Sequence, residues 1–267
     1  MANLIKAFGR RIIAGEQKHL DITFPRLPYG ARPRVLLATQ PKAGTYLLSE
    51  ILSKIGFDQT YLHLGLARLE AYDPVLLEMG AANPKAFSCA IPINESLRLI
   101  RSGQFAASHL VPTGTLDALI GDSFKVLVCV RELRSSLTSL SNFFASLPRG
   151  GDLGSEVAER GITHFLKKKG AKTIKQAELI WQWKEREYAR IIRFEDIVNG
   201  NESVIEDIGC HIGLNVKNAA SIVHSALEAQ TLTKSIGFTK LEWGEQEERQ
   251  FIRLGGDRVN KLMGYNG

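Results

Sequence analysis

The sequence predicts a single α/β domain, a mainly parallel central sheet with helices on both faces, and three observations carry that expectation. An apolar run, Val35-Leu36-Leu37-Ala38, passes through a turn at Gln40–Tyr46 into a helical pattern. A second run, Phe124 to Val130, is β-branched and apolar almost throughout, as a strand covered on both faces should be. No linker-like stretch, internal repeat or low-complexity tract interrupts the 267 residues. We therefore expect residues 1–33 to be an N-terminal segment with an entry loop, and residues 34–267 to be the domain.

At the N-terminus, Leu4, Ile5, Phe8, Ile12 and Ile13 alternate with Lys6, Arg10 and Arg11 in a short basic amphipathic pattern. It suits either a weak contact of residues 1–13 with a membrane surface or a helix packed on the domain. Asp21 to Arg34 holds Pro25, Pro28, Gly30 and Pro33 and reads as the entry loop to a first strand at Arg34 to Thr39. Beyond the turn, Leu47, Leu48, Ile51, Leu52 and Ile55 fall on one face of a helix. The result is a P-loop-like strand, loop and helix. Its helix N-terminus offers free N–H groups and a positive dipole end to an anion. Gly44 would let backbone approach a phosphate, Lys42 would add a mobile charge and the Thr45 hydroxyl a donor; Ala43 and Tyr46 complete the loop. Nucleotide-triphosphate loops place their lysine after the last glycine, whereas here it precedes Gly44 by two. Such joints also occur without any ligand, so the loop alone leaves its role open.

Asp58 to Gly80 carries leucines in an irregular pattern that reads as helical, broken at Asp73-Pro74. Asn94 is expected to cap a helix over Glu95–Arg101, which Gly103 closes. Gln104 to Pro112 reads as a short strand that runs into a loop at His109, where the carboxyl end of a strand in such a sheet meets ligands. A lone histidine there is more often a turn residue than a catalyst. Arg131 ends the strongest strand, and a helix follows with Leu137, Leu140, Phe143, Phe144 and Leu147 at helical spacing and Ser139 on a different face. Pro148, Gly150 and Gly151 mark a loop; Ser155–Lys168 and Lys172–Tyr188 read as helices, with Trp181 and Trp183 as partly buried packing residues. Arg190 to Phe194 is expected to be a last strand, continued through Glu195-Asp196-Ile197. Helices are expected over Val204–Gly213, Val216–Glu228 and Glu247–Met263.

The chain is 44% hydrophobic and 23% charged, an ordinary globular balance that excludes wholesale disorder. Its net charge of +6 suits a nucleotide bisphosphate, a nucleic acid or an anionic membrane surface, and charge alone does not choose among them. Lys167-Lys168-Lys169 lacks interleaved aromatics, so no nucleic acid is expected as a partner. Cys89, Cys129 and Cys210 are an odd, widely spaced set that reads as reduced, buried thiols, and a cytoplasmic location is expected. No H-x-x-x-H or C-x-x-C spacing occurs, so no metal is expected. No apolar run reaches ~18 residues and no signal-peptide core is visible, so neither a membrane span nor export is expected.

Four segments together resemble sulfotransferases that use 3'-phosphoadenosine 5'-phosphosulfate (PAPS). Pro41-Lys42-Ala43-Gly44-Thr45 resembles the family's P-K-[SA]-G-[TS] loop. Arg131-Glu132-Leu133-Arg134 with Ser139 is similar to its R-[DE]-x-R-x-x-x-x-S element, His109-Leu110 with Pro112 to its H-L-P-like segment, and Arg193-Phe194-Glu195-Asp196-Ile197 to R-Y-E-D-L. The resemblance covers about Arg34 to Tyr265. It implies PAPS as co-substrate with no metal, held through Lys42, Ala43, Gly44, Thr45 and Tyr46 at the phosphosulfate. It further implies Arg131 and Ser139 at the 3'-phosphate, Phe194 near adenine and His109 as catalytic base, with Lys42 neutralising the leaving phosphate.

The chain departs from the family in four places. Phe194 replaces a tyrosine, which keeps the stacking and loses one polar contact. Ala107 stands where cytosolic members often carry a lysine, Leu133 replaces a proline, and Thr233–Phe238 is at best a remnant of a closing R-K-G-x-x-G-D-W-K run. The acceptor, whether glycan, lipid, peptide or small phenol, is not disclosed. Two other classes stay open: a non-catalytic module for adenosine bisphosphate or a polyanion, and a P-loop kinase-like enzyme.

Overall fold

The computed structural model describes residues 32–71, 88–146, 151–228 and 243–266. The N-terminal amphipathic pattern, the Asp73-Pro74 break, the Gly150 part of the loop and the Thr233–Phe238 run lie outside them. In chain order the strands are β1 Arg34–Ala38, β2 Asp58–Leu64, β3 Leu69–Ala71, β4 Ser88–Cys89, β5 Gln104–Ser108, β6 Phe124–Val130 and β7 Ala189–Arg193. The helices are α1 Thr45–Ile55, α2 Ile93–Leu97, α3 Gly114–Ile120, α4 Leu133–Ser146, α5 Gly151–Phe165, α6 Ala171–Trp181, α7 Phe194–Val198, α8 Glu202–His211, α9 Ala219–Glu228, α10 Glu245–Arg253 and α11 Gly256–Leu262.

The strands form one sheet in the order β4-β3-β2-β5-β1-β6-β7. β2, β5, β1, β6 and β7 run parallel, and β3 and β4 are added antiparallel at one edge. β1 is central, with Val35 opposite Phe105 of β5 on one side and Lys125 of β6 on the other. Its residues Val35 to Ala38 are fully buried, which is why the run has no polar alternation.

Both faces are covered. Val35, Leu37, Leu127 and Cys129 pack under Leu48, Ile51 and Leu52 of α1 and Ile205 and Ile208 of α8. Leu36, Ala38, Val126 and Val128 pack on the other face under Leu137 of α4, Ile174 and Ala177 of α6, and Phe251 of α10. An α/β domain with a mainly parallel sheet is what the sequence leads one to expect.

Several local expectations are corrected. Asp58–Leu64 and Leu69–Ala71 are strands and not helix: β2 pairs with β5 and with β3, Leu62 opposite Ala71 and Leu64 opposite Leu69, and this tertiary pairing overrides the local leucine pattern. Residues 194–198 turn into α7 and do not extend β7; Glu195 and Asp196 favour a helix N-terminus there. Asn94 lies inside α2, which begins after Pro92. α5 is kinked at Gly161 and joins α6 through a π-helical turn at Leu166–Gly170, while α6 stops at Trp181 and Tyr188 belongs to the approach to β7. The C-terminal helix is two, α10 and α11, separated at Gly255, whose φ of 83° breaks the helical path. Cys129 is buried, but Cys89 and Cys210 are exposed thiols.

Trp183 is fully buried, not partly, and its indole N–H donates to the Leu110 carbonyl at 2.9 Å. This bond ties the segment just past β5 to the helical layer. Trp183→Phe keeps most of the apolar body but leaves that buried carbonyl without its donor. A loss of about 1–3 kcal/mol of stability is expected in urea unfolding.

Candidate active site

The carboxyl ends of the five parallel strands deliver the site. Past β1, the Thr39 N–H bonds to Ser108 O of β5 at 3.0 Å and the Gln40 N–H to Cys129 O of β6 at 2.9 Å, so the chain leaves the sheet between its two neighbours. It then turns sharply: Ala43 N–H returns to Gln40 O at 3.0 Å, and Leu48 N–H to Gly44 O at 2.9 Å opens α1. Lys42 has a φ of 63°, in a region that costs a residue with a side chain about 1–2 kcal/mol. Functional loops are where such strain collects. Gly44, at a φ of 92°, is required twice over, because a Cβ there would stand 2.6 Å from Cδ2 of Phe194.

Side chains from three directions hold this loop. Ser136 of α4 donates to Pro41 O at 2.8 Å, and the Cys129 thiol donates to Ala43 O at 2.8 Å. Burial raises the pKa of that thiol, so it serves as a neutral donor. Arg131 donates through a guanidinium nitrogen to Lys42 O at 3.3 Å, and its backbone N–H to the Gln40 side-chain oxygen at 3.2 Å. Its guanidinium lies 4.3 Å from the centroid of the Phe194 ring. Arg131 and Phe194 are each only 4% exposed, so both are seated inside the loop's support: Phe194 is a wedge between Gly44 and Arg131.

The turn that carries Arg131 is itself fixed from a distance. Glu132 caps α4, accepting from Ser135 N–H at 2.8 Å and from Asn260 of α11 at 2.6 Å. Glu195 accepts from Glu132 N–H at 3.0 Å and from the Tyr265 hydroxyl at 2.8 Å. The C-terminal end of the chain thereby holds the β6–α4 turn. Ser139 lies half-buried on the second turn of α4, the helix that follows the Arg131 turn.

Charge is concentrated at Lys42. Burial first, then the neighbouring Arg131 cation, pushes its pKa down to about 8, and its ammonium lies 4.8 Å from the Phe143 ring centroid. Two cations are therefore held side by side at a helix N-terminus. On the opposite side of the loop, His109 follows β5. Its Nδ1 donates to Thr39 O at 2.7 Å, which leaves the Nε2 lone pair as the free end of the ring. Burial, with the charge of Lys42 acting in the same direction, holds this imidazole below the ordinary histidine range, and so neutral at pH 7. The Thr45 and Thr39 hydroxyls bond to each other at 2.6 Å, and Thr39 is 3.4 Å from His109 Nδ1, so loop and histidine share one polar chain. Tyr46 is half-buried on the first turn of α1.

Lys42, Ala43, Gly44, Thr45, Arg131 and Phe194 thus form one contiguous cluster, with His109 joined to it through Thr39. Sequence reading missed Thr39, Gln40, Ser136 and Cys129, which carry no chemistry of their own and act by holding backbone. It also missed His63 of β2, whose ring centroid is 4.6 Å from that of His109. Among the described residues no group of three His, Cys, Asp or Glu is placed to hold a metal ion, and no helix is long and apolar enough to cross a membrane.

A sequence profile of the sulfotransferase domain matches residues 32–259. The chain belongs to the sulfotransferase domain family. Among solved structures, it is similar to a mouse sulfotransferase, SULT7A1, complexed with PAP, at 15% identity over 87% of this chain and 89% of that one, with a TM-score of 0.61. A sulfotransferase from Alicyclobacillus acidocaldarius aligns over 89% and 98% of the two chains at 14% identity and a TM-score of 0.47. No curated protein sequence matches it closely. At such identities the likeness to the mouse structure establishes the fold that this sulfotransferase shares, and the family membership makes it a transferase.

Proposed function

We propose that this sulfotransferase moves a sulfuryl group from PAPS to a hydroxyl or amine and releases adenosine 3',5'-bisphosphate. The observation that carries the reading is the pair of partly desolvated cations, Lys42 and Arg131, beside a helix N-terminus and across the loop from a neutral histidine whose Nε2 is the free ring nitrogen. Glu195 and Glu132 already offset the Arg131 charge in part, but Lys42 still feels the Arg131 cation, which a bound polyanion would relieve. A neutral base is useful only if a proton must then be taken. The mouse sulfotransferase of the same fold is complexed with PAP.

The residues divide the work. The loop N–H groups, the Thr45 hydroxyl and Lys42 hold the 5'-phosphosulfate. As the acceptor oxygen or nitrogen attacks sulfur in line, the bond from sulfur to the phosphate oxygen breaks and His109 Nε2 takes the acceptor's proton. Lys42 neutralises the charge that gathers on the departing phosphate. Arg131 and Ser139 serve the 3'-phosphate, and Phe194 keeps the Arg131 guanidinium and Gly44 in register.

The pH dependence follows from the two shifted groups. Lys42 must be charged to bind the phosphosulfate, so kcat/KM for PAPS falls as pH rises through about 8. His109 must be neutral, so the acid limb lies below 6.5. Bound phosphosulfate favours the ammonium, and the basic limb of kcat is therefore expected at higher pH than that of kcat/KM. Coincident basic limbs would separate Lys42 from the phosphosulfate.

Labelled PAPS and a broad panel of acceptors test the reaction itself. Binding of adenosine 3',5'-bisphosphate without transfer to any acceptor would instead favour a non-catalytic module. Calorimetry tests the nucleotide site: the bisphosphate should bind roughly ten- to a hundredfold more tightly than AMP, the worth of one charged hydrogen-bonded contact. Arg131→Ala should narrow that gap. If it weakens both nucleotides equally, Arg131 only braces the loop.

A further inference from the structure

The parallel pairing of β2 with β5 is interrupted between Gln59, opposite Phe105, and His63, opposite Ala107. Thr60, Tyr61 and Leu62 therefore span the length that Ala106 spans alone on β5. Tyr61 takes a φ of 55° to absorb the excess. The Thr60 hydroxyl staples the bulge, donating to Phe105 O at 2.9 Å and accepting from Leu62 N–H at 3.4 Å. Bulges beside ligand sites re-aim side chains. This one sets His63 next to Ala107, whose methyl leaves lateral room, and on the face of the sheet from which His109 projects two residues later. The two rings meet edge to face, with centroids 4.6 Å apart and planes at 64°.

Contacts at one nitrogen do not fix an imidazole. Nδ1 meets Thr39 O at 2.7 Å and the Thr39 hydroxyl at 3.4 Å, and the ring can still tip about that atom. A wall against the ring removes the remaining freedom. We propose that His63 is a positioning residue for His109, the bulged β2 holding its ring as the wall that keeps His109 in one tautomer with Nε2 directed to the acceptor. The inference rests on reading His109 as the base.

The electrostatics are compatible with that role. Burial first, then the neighbouring His109, pushes the pKa of His63 down to about 3, so the wall carries no charge when His109 accepts a proton. Among the described residues, the titratable groups that face His109 are Lys42 from the loop after β1 and His63 from β2; Gln176 of α6 contributes an uncharged contact to the His109 carbonyl at 3.3 Å.

The test is histidine NMR on ring-labelled full chain without nucleotide, with His109→Asn used to assign the His109 signals. In the wild type, His109 should titrate below about 6.5 as the Nδ1–H tautomer. In His63→Ala water reaches the ring: its titration should move up toward the ordinary value, and the tautomer signals should mix. His63→Phe restores the wall and should return both to the wild-type position, although it carries no imidazole nitrogen. If His63→Ala does not fold, His63→Asn against His63→Phe carries the same comparison. A His109 titration and tautomer unchanged in the alanine or asparagine variant overturns the inference, as does failure of His63→Phe to restore them. Neither result touches the base reading, which falls separately if His109→Asn still transfers sulfuryl groups at the wild-type rate.

Discussion

Replacing His109 by alanine is expected to slow sulfuryl transfer by about 100-fold or more, the usual worth of a positioned general base, while affinity for adenosine 3',5'-bisphosphate stays at its wild-type value. The separation follows from the geometry. His109 follows β5, on the other side of β1 from Arg131, and its anchor is the Thr39 carbonyl rather than any part of the phosphate loop beyond it. The loop's own supports, Ser136, Cys129 and Arg131, are all left in place. Single-turnover kinetics and calorimetry on the same preparation make the comparison. Full activity in a natively folded His109→Ala protein would reduce the histidine to a loop residue and remove the mechanism.

Lys42→Met should show the opposite signature, weakening bisphosphate binding by tenfold or more and lowering transfer further, because in the proposed mechanism its charge faces phosphate both before and during bond cleavage. Stability should move the other way. The folded-state pKa of about 8 lies below the ordinary lysine value of about 10.4, so between those pH values the unfolded chain binds the extra proton. The penalty is fully present below pH 8 and is relieved as pH rises through the window. Removing the charge should therefore raise the Tm of the ligand-free protein at pH 7 even as function is lost. A Lys42→Met protein with a lower Tm at pH 7 would mean that the ammonium stabilises the empty loop after all.

How much of this could be read from the residues depends on the type of signal. β6 was legible because a strand buried on both faces has only one kind of sequence, and the β1–loop–α1 unit because five apolar residues recur at helical spacing behind a glycine. The candidate site was legible where the chemistry is carried by side chains, as at Lys42, His109 and Arg131. Where support comes through backbone, as with Ser136 on Pro41 O, no local pattern announces it. His63 was hidden for another reason: the leucines on either side suggested a helix, and the bulge that aims the ring arises from pairing with β5, which lies some forty residues away. Nor does the R-F-E-D-I segment disclose that Phe194 opens a helix and faces inward onto Gly44; only the packed loop makes that orientation necessary.

The strand order has a consequence for how such a protein can change over time. Arg131 and Phe194 come from β6 and β7, on one flank of β1, whereas His109 and His63 come from β5 and β2 on the other. The antiparallel edge of β3 and β4 extends only the second flank, and it joins β2 without touching the strands that bear the cation pair. Insertions, substitutions or grafted hairpins at that edge can accumulate with little effect on the half that holds the charged loop. A library randomised at the β2–β3 turn should therefore yield many variants that keep nucleotide affinity while differing in what they modify, and few of the reverse kind.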